Sequence, residues 1–165
     1  MNLFFCPQCR QPFASVQICP DCSVTTDAVA NTYVERLLET VLSNETSRAG
    51  MAVDVLTQWL HEPRAFLPLT MLLERTGDPY PLVIGARGLG WLGNKAAVPA
   101  LAKLLLNESQ PYVARVAAAE ALSGIGGEES VEVLSRARQS PRPSAVEACD
   151  QALQKLLEAE QEIQS

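Results

Sequence analysis

Leu89-Gly90-Trp91-Leu92-Gly93 and Leu122-Ser123-Gly124-Ile125-Gly126 lie 33 residues apart and share one pattern, leucine, small residue, variable residue, aliphatic residue, glycine. At the same offset Ala86 meets Ala119, Val98 meets Val131 and Leu101 meets Leu134. Upstream, Ala52, Leu56 and Trp59 stand 33 residues before Gly85, Leu89 and Leu92; downstream, Cys149, Ala152, Leu153 and Leu156 stand 31 after Ala118, Ala121, Leu122 and Ile125. Self-similarity at such a period marks a stack of supersecondary units, each unable to bury its apolar face alone.

From about residue 32 the chain is rich in alanine and leucine at helical spacing, broken by Pro, Gly, Asn and Asp clusters. The pattern predicts eight helices in four hairpins: 32–43 with 47–61, 64–75 with 79–92, 96–106 with 111–125, and 129–139 with 144–160. The expected fold class is all-α, a short α-solenoid preceded by a small metal-bound module. Within the stack, Gly85, Ala86, Ala118 and Ala119 permit close helix crossing, while Leu89, Leu122 and Leu153 fill the layers. Trp59 takes a core register by this alignment, and Trp91, one residue off that register, points outward.

The N-terminal segment has a different logic. Cys6-Pro7-Gln8-Cys9 and Cys19-Pro20-Asp21-Cys22 form two C-x2-C turns nine residues apart. Two residues between thiolates let one tight turn present both sulfurs to a single tetrahedral metal, and amides of the turn temper their charge. Phe4, Phe5, Phe13 and Ile18 are expected to form the segment's small core. A segment of about 25 residues needs a support worth on the order of 10 kcal/mol, which one structural zinc supplies. The ligands expected are Cys6, Cys9, Cys19 and Cys22, with no open position for water and hence no chemistry at the metal. Disulfides, a thioredoxin-type redox pair and a rubredoxin-type iron site are the competing readings of the same cysteines.

The division that follows is a module at 1–25, a linker at 26–31, helical repeats at 32–160 and an acidic tail at 161–165. In 165 residues 47% are apolar, ample for a packed core, and the formal charge is −6. Arginines are scattered, and only Arg136, Arg138 and Arg142 gather, read as a solvated face. That balance argues against sequence-independent binding of phosphate backbones, so nucleic acid is an improbable partner. No leader pattern and no long apolar run is visible, so the expectation is a cytoplasmic protein without membrane insertion.

Asp78-Pro79, Ala114-Arg115 with Ala118-Ala119, Leu89-Gly90-Trp91-Leu92-Gly93 and Val98-Pro99-Ala100-Leu101 together resemble the HEAT repeats of the phycobilin-lyase-like class, over about 110 residues. Residues 3–24 similarly resemble the short zinc ribbons found at the ends of many bacterial proteins. The first resemblance implies an α-solenoid and a habit of binding proteins; it carries over no chromophore-handling residue. It departs from the family's pattern where Leu82 stands at the position matching Arg115.

Tyr80, Arg87, Trp91, Tyr112 and Arg115 fall on second helices of hairpins, which line the concave face of HEAT stacks, and are the candidate partner-binding residues. Gly88-Leu89-Gly90-Trp91-Leu92-Gly93 satisfies G-x-G-x-x-G, but its repeat counterpart replaces the first two glycines with Ala121 and Ser123, so helix packing explains it. His61 is the only histidine, Cys149 reads as a small core residue, and no nucleophile elbow or phosphate loop is present. The functional expectation is therefore a non-catalytic adapter for a protein partner, not an enzyme. Association with nucleic acid through the module and Arg10, and a lyase- or chaperone-like role on a chromophore or metalloprotein, are the alternatives.

Elemental mass spectrometry of the purified protein is expected to find about one zinc per chain. A strong chelator is expected to remove only part of the cooperative unfolding. No metal, or iron with visible colour, would sink the structural-zinc reading.

Overall fold

The computed structural model describes residues 4–5, 12–13, 18, 20–21, 23, 27–42, 46–74, 78–139 and 143–163. Two short strands, β1 (Phe4–Phe5) and β2 (Pro12–Phe13), pair antiparallel, Phe4 opposite Phe13. β1 lies against the first helix. The four cysteines of the paired turns, Cys6, Cys9, Cys19 and Cys22, lie outside the described residues, as do Arg10 and Arg142.

Among the described residues eight α-helices follow: α1 (Asp27–Leu42), α2 (Thr46–Asp54), α3 (Phe66–Leu72), α4 (Pro79–Leu92), α5 (Val98–Leu106), α6 (Tyr112–Ile125), α7 (Glu128–Ala137) and α8 (Pro143–Ile163). α1 begins at Asp27, so most of the stretch expected as linker is helical, and α8 runs to Ile163, into the expected tail. The second helices α2, α4, α6 and α8 pack in sequence as one layer, and α3, α5 and α7 brace it from the other side. This is the all-α solenoid that the repeat register predicts.

Local chemistry sets the boundaries. The Asp78 carboxylate accepts the Tyr80 amide at 3.0 Å, Pro79 occupies the first turn, and Gly93 at φ +63° closes α4 in a conformation that side chains disfavour. Asn94 repeats the device on the next turn, accepting from Ala96 at 3.0 Å, before α5. Leu56, Leu69, Leu82, Leu89, Leu101, Leu105, Leu122 and Leu134 are fully buried, each stabilising by about 2 kcal/mol relative to exposure. α4 meets α6 at backbone distance: a Cβ on Gly90 would stand 2.8 Å from Ala121 Cα. The G-x-G-x-x-G stretch is thus helix interior and packing surface, not a phosphate-binding loop.

Trp59 departs from its expected core position. After Asp54 the backbone passes into a π-turn, Val55–Trp59, in which the Leu60 amide bonds the Val55 carbonyl at 3.0 Å. The wider turn rotates the register past Leu56 and leaves Trp59 80% exposed. Thr57 is buried instead, its hydroxyl donating to the Val53 carbonyl at 2.7 Å. No helix among the described residues is long and apolar enough to cross a membrane.

Gly90→Val is expected to lower unfolding free energy by about 1–3 kcal/mol, because the α4–α6 approach leaves no room for its branches. Gly124→Ala is expected to be neutral or stabilising by up to about 1 kcal/mol, since its Cβ meets only the Gly90 carbonyl at ordinary contact distance. Urea denaturation of the two variants checks the contrast, and equal effects would refute the close crossing.

Candidate functional site

The period of the repeat builds a groove on the second-helix layer. Arg87 on α4 is in register with Glu120 on α6, and Trp91 with Gly124, each 33 residues on. These four side chains or their backbone, with Gly90, Ala117 and Ala121 at the floor, line a cavity of about 280 Å³. Small residues on α6 leave the space; Trp91 stands beside it because Gly124 offers no side chain to cover the indole. The Arg87 guanidinium carbon lies 4.7 Å from the Trp91 ring centroid, a cation–π stack that holds both side chains at the rim. Glu120 adds an exposed carboxylate. An apolar floor with one cation, one anion and one aromatic face suits a mixed polar and apolar chain segment.

The five candidate partner-binding residues divide. Arg87 and Trp91 form this rim together, Trp91 being 37% exposed as its register predicts. Tyr80 (40% exposed) and Tyr112 (52%) sit at the N-terminal ends of α4 and α6, away from the groove lining. Arg115 is not on the surface: it is 3% exposed, and its Nε donates to the Leu105 carbonyl at 2.8 Å. The sequence carried a signal for this, since the matching position in the preceding hairpin, Leu82, is a core residue. Glu120 was missed by sequence reasoning, although the repeat register sets it opposite Arg87.

His61 is exposed and left-handed at φ +46°, at the end of the π-turn. The adjacent Glu62 is committed to Arg64, whose guanidinium hydrogen bond holds the carboxyl below its ordinary pKa. Among the described residues no group of three or more His, Cys, Asp or Glu is placed to hold a metal ion. Cys149 is buried in the core, where desolvation pushes its thiol pKa up, against the lowering influence of Arg115.

A family model described as HEAT repeats matches residues 66–154, more than half of the chain. The chain belongs to the HEAT-repeat family. Among relatives, it is 40% identical over 68 residues to deoxyhypusine hydroxylase-B of Oryza sativa subsp. japonica, covering 41% of this chain and 22% of the relative. It is 37% identical over 68 residues to deoxyhypusine hydroxylase of Gallus gallus, covering 41% and 23%. The solved structure of human deoxyhypusine hydroxylase in complex with glycerol superposes with a TM-score of 0.64 at 27% identity, covering 76% of this chain and 43% of that one. The chain thus spans less than a quarter of the sequence relatives and under half of the structural one.

These relatives carry the name of an enzyme, not of a bilin lyase or a scaffold. That overturns two expectations drawn from the sequence: a non-catalytic adapter, and a protein that is not an enzyme. The error has a physical source. In a HEAT stack, side chains that meet on the concave face come from different hairpins, so a site there needs no contiguous motif.

Cys149 is expected to resist brief alkylation at neutral pH, and to react once the chain is unfolded in urea. Its raised pKa adds a pH dependence: stability present below the unfolded thiol's pKa, near 9, is lost as pH rises beyond it. Mass-spectrometric mapping of the modified cysteine checks the first outcome, and a flatter alkaline limb of stability in Cys149→Ala checks the second.

Proposed function

We propose that this HEAT-repeat chain is a hydroxylase-related enzyme that acts on a protein-borne substrate, deoxyhypusine being the substrate its relatives' name supplies, and that the α4–α6 groove receives the substrate segment. The observation that carries the proposal is the 27% identical structural likeness over 76% of the chain. The 40% identity to the rice enzyme over 68 residues supports it from sequence. The groove's contribution is positioning: Trp91 and the small-residue floor take apolar surface, while Arg87 and Glu120 fix polarity and direction.

Placing oxygen on carbon requires an oxygen-activating metal or cofactor. The residues of the described helical stack do not fit such a group. The chain's single histidine is exposed, the neighbouring carboxylate is paired with Arg64, and the groove offers one carboxylate. The described helical stack therefore contributes the positioning of the substrate segment. The N-terminal cysteines are a separate part of the proposal: Cys6, Cys9, Cys19 and Cys22 hold a structural zinc, with no part in the reaction.

The full chain is expected to bind a deoxyhypusine-bearing protein saturably, and aerobic incubation of the two with reductant and ferrous iron, read by intact mass, tests for the gain of one oxygen atom. Trp91→Ala and Arg87→Ala are each expected to weaken the binding by about tenfold. Binding without oxygen gain would refute the enzymatic half of the proposal, and neither binding nor mass gain would refute both halves.

A further inference from the structure

Behind the groove layer, at the ends of α5 and α7, lies a second cavity of about 190 Å³, lined by Leu106, Glu108, Arg115, Arg136, Ala137 and Gln139. Its wall includes a buried cation, Arg115. Arg115 is 3% exposed and gives one donor to the Leu105 carbonyl. An arginine has five donors. Neither of the ion pairs Arg64–Glu62 and Arg138–Asp150 involves it. Burying a cation beside a neutral carbonyl is costly, and an anion beside it recovers much of that cost.

Arg136, in the last turn of α7, lines the same cavity from the open side. Gln139 adds an amide donor just beyond α7. Two arginines and a glutamine therefore line a space that holds only a few water-sized volumes of about 30 Å³ each. Glu108 in the same wall disfavours a doubly charged occupant more than a singly charged one. Arginine's planar fork matches the two oxygens of a carboxylate.

We propose that this cavity is a carboxylate-binding site, in which Arg115 and Arg136 hold the two oxygens of a single carboxylate, supplied either by a small free acid or by an acidic side chain of a docked peptide. The site is independent of the α4–α6 groove and stands whether or not the hydroxylase reading does.

The experiment is an NMR titration of the full chain, following the Arg115 Nε–H resonance, which its bond to Leu105 shields from exchange. Sodium acetate, a short glutamate-containing peptide blocked at both ends, and sodium phosphate are added at ionic strength held constant with chloride. A saturable shift with acetate or with the peptide, absent in chloride, supports the site. The tighter of those two identifies its source as free acid or peptide side chain. Arg136→Gln is expected to weaken binding about tenfold, whereas Arg138→Gln, whose residue pairs with Asp150 outside the cavity, leaves it unchanged. An unchanged affinity in Arg136→Gln, a shift no larger than chloride's, or tighter binding of phosphate than of either carboxylate would overturn the proposal.

Discussion

The approach of α4 to α6 at Gly90 and Ala121 is the constraint on which the rest of the molecule hangs. With a Cβ at residue 90 only 2.8 Å from the Ala121 backbone, the two helices would have to separate. Their closeness lets Leu89 and Leu122 share one buried layer, and it lets α8 continue the same spine, tied by the Ser123 hydroxyl to the Ala152 carbonyl at 3.1 Å. It also makes the groove. Small residues that allow the crossing leave no side chains to fill the space above it, so Arg87 and Trp91 stand at the edge of a hollow. Packing and site are two consequences of one choice of residues.

Much of this architecture was legible because a repeat is read twice. Leu89 and Leu122, Ala86 and Ala119, Leu101 and Leu134 are each buried in equivalent places, and the offset alone paired them. The reading failed where one hairpin broke the rule. Trp59 aligns with Leu92, but a single π-turn between the two registers turns the indole to solvent, and nothing in the local composition of Val55-Leu56-Thr57-Gln58 announces that turn. Arg115 failed for the opposite reason. Its residue type argued for the surface, while its register, shared with Leu82, argued for the core, and the register was the better guide.

The candidate site was half visible for a related reason. Arg87 and Trp91 were identifiable one helix at a time, as an arginine and an aromatic on an outward face. Glu120 and Gly124 acquire meaning only as their partners across the crossing, and a residue-by-residue search for chemistry passes over both. The same blindness produced the mistaken exclusion of enzymatic activity: catalytic groups in a solenoid are assembled from several hairpins and leave no contiguous motif.

Arg115 shows what the register costs when a charged residue accepts a core position. At Leu82 the preceding hairpin fills this place with an aliphatic side chain that demands nothing of its surroundings. At Arg115 the fold supplies one carbonyl, the last-turn carbonyl of α5, whose partial negative charge offsets part of the guanidinium's. Arg115 also lines a cavity, in a stack that closes its other layers with leucine and alanine. A buried hydrocarbon at residue 115 would have extended the core at no electrostatic cost. Arginine there, with Arg136 lining the same cavity, matches the carboxylate occupant proposed for it.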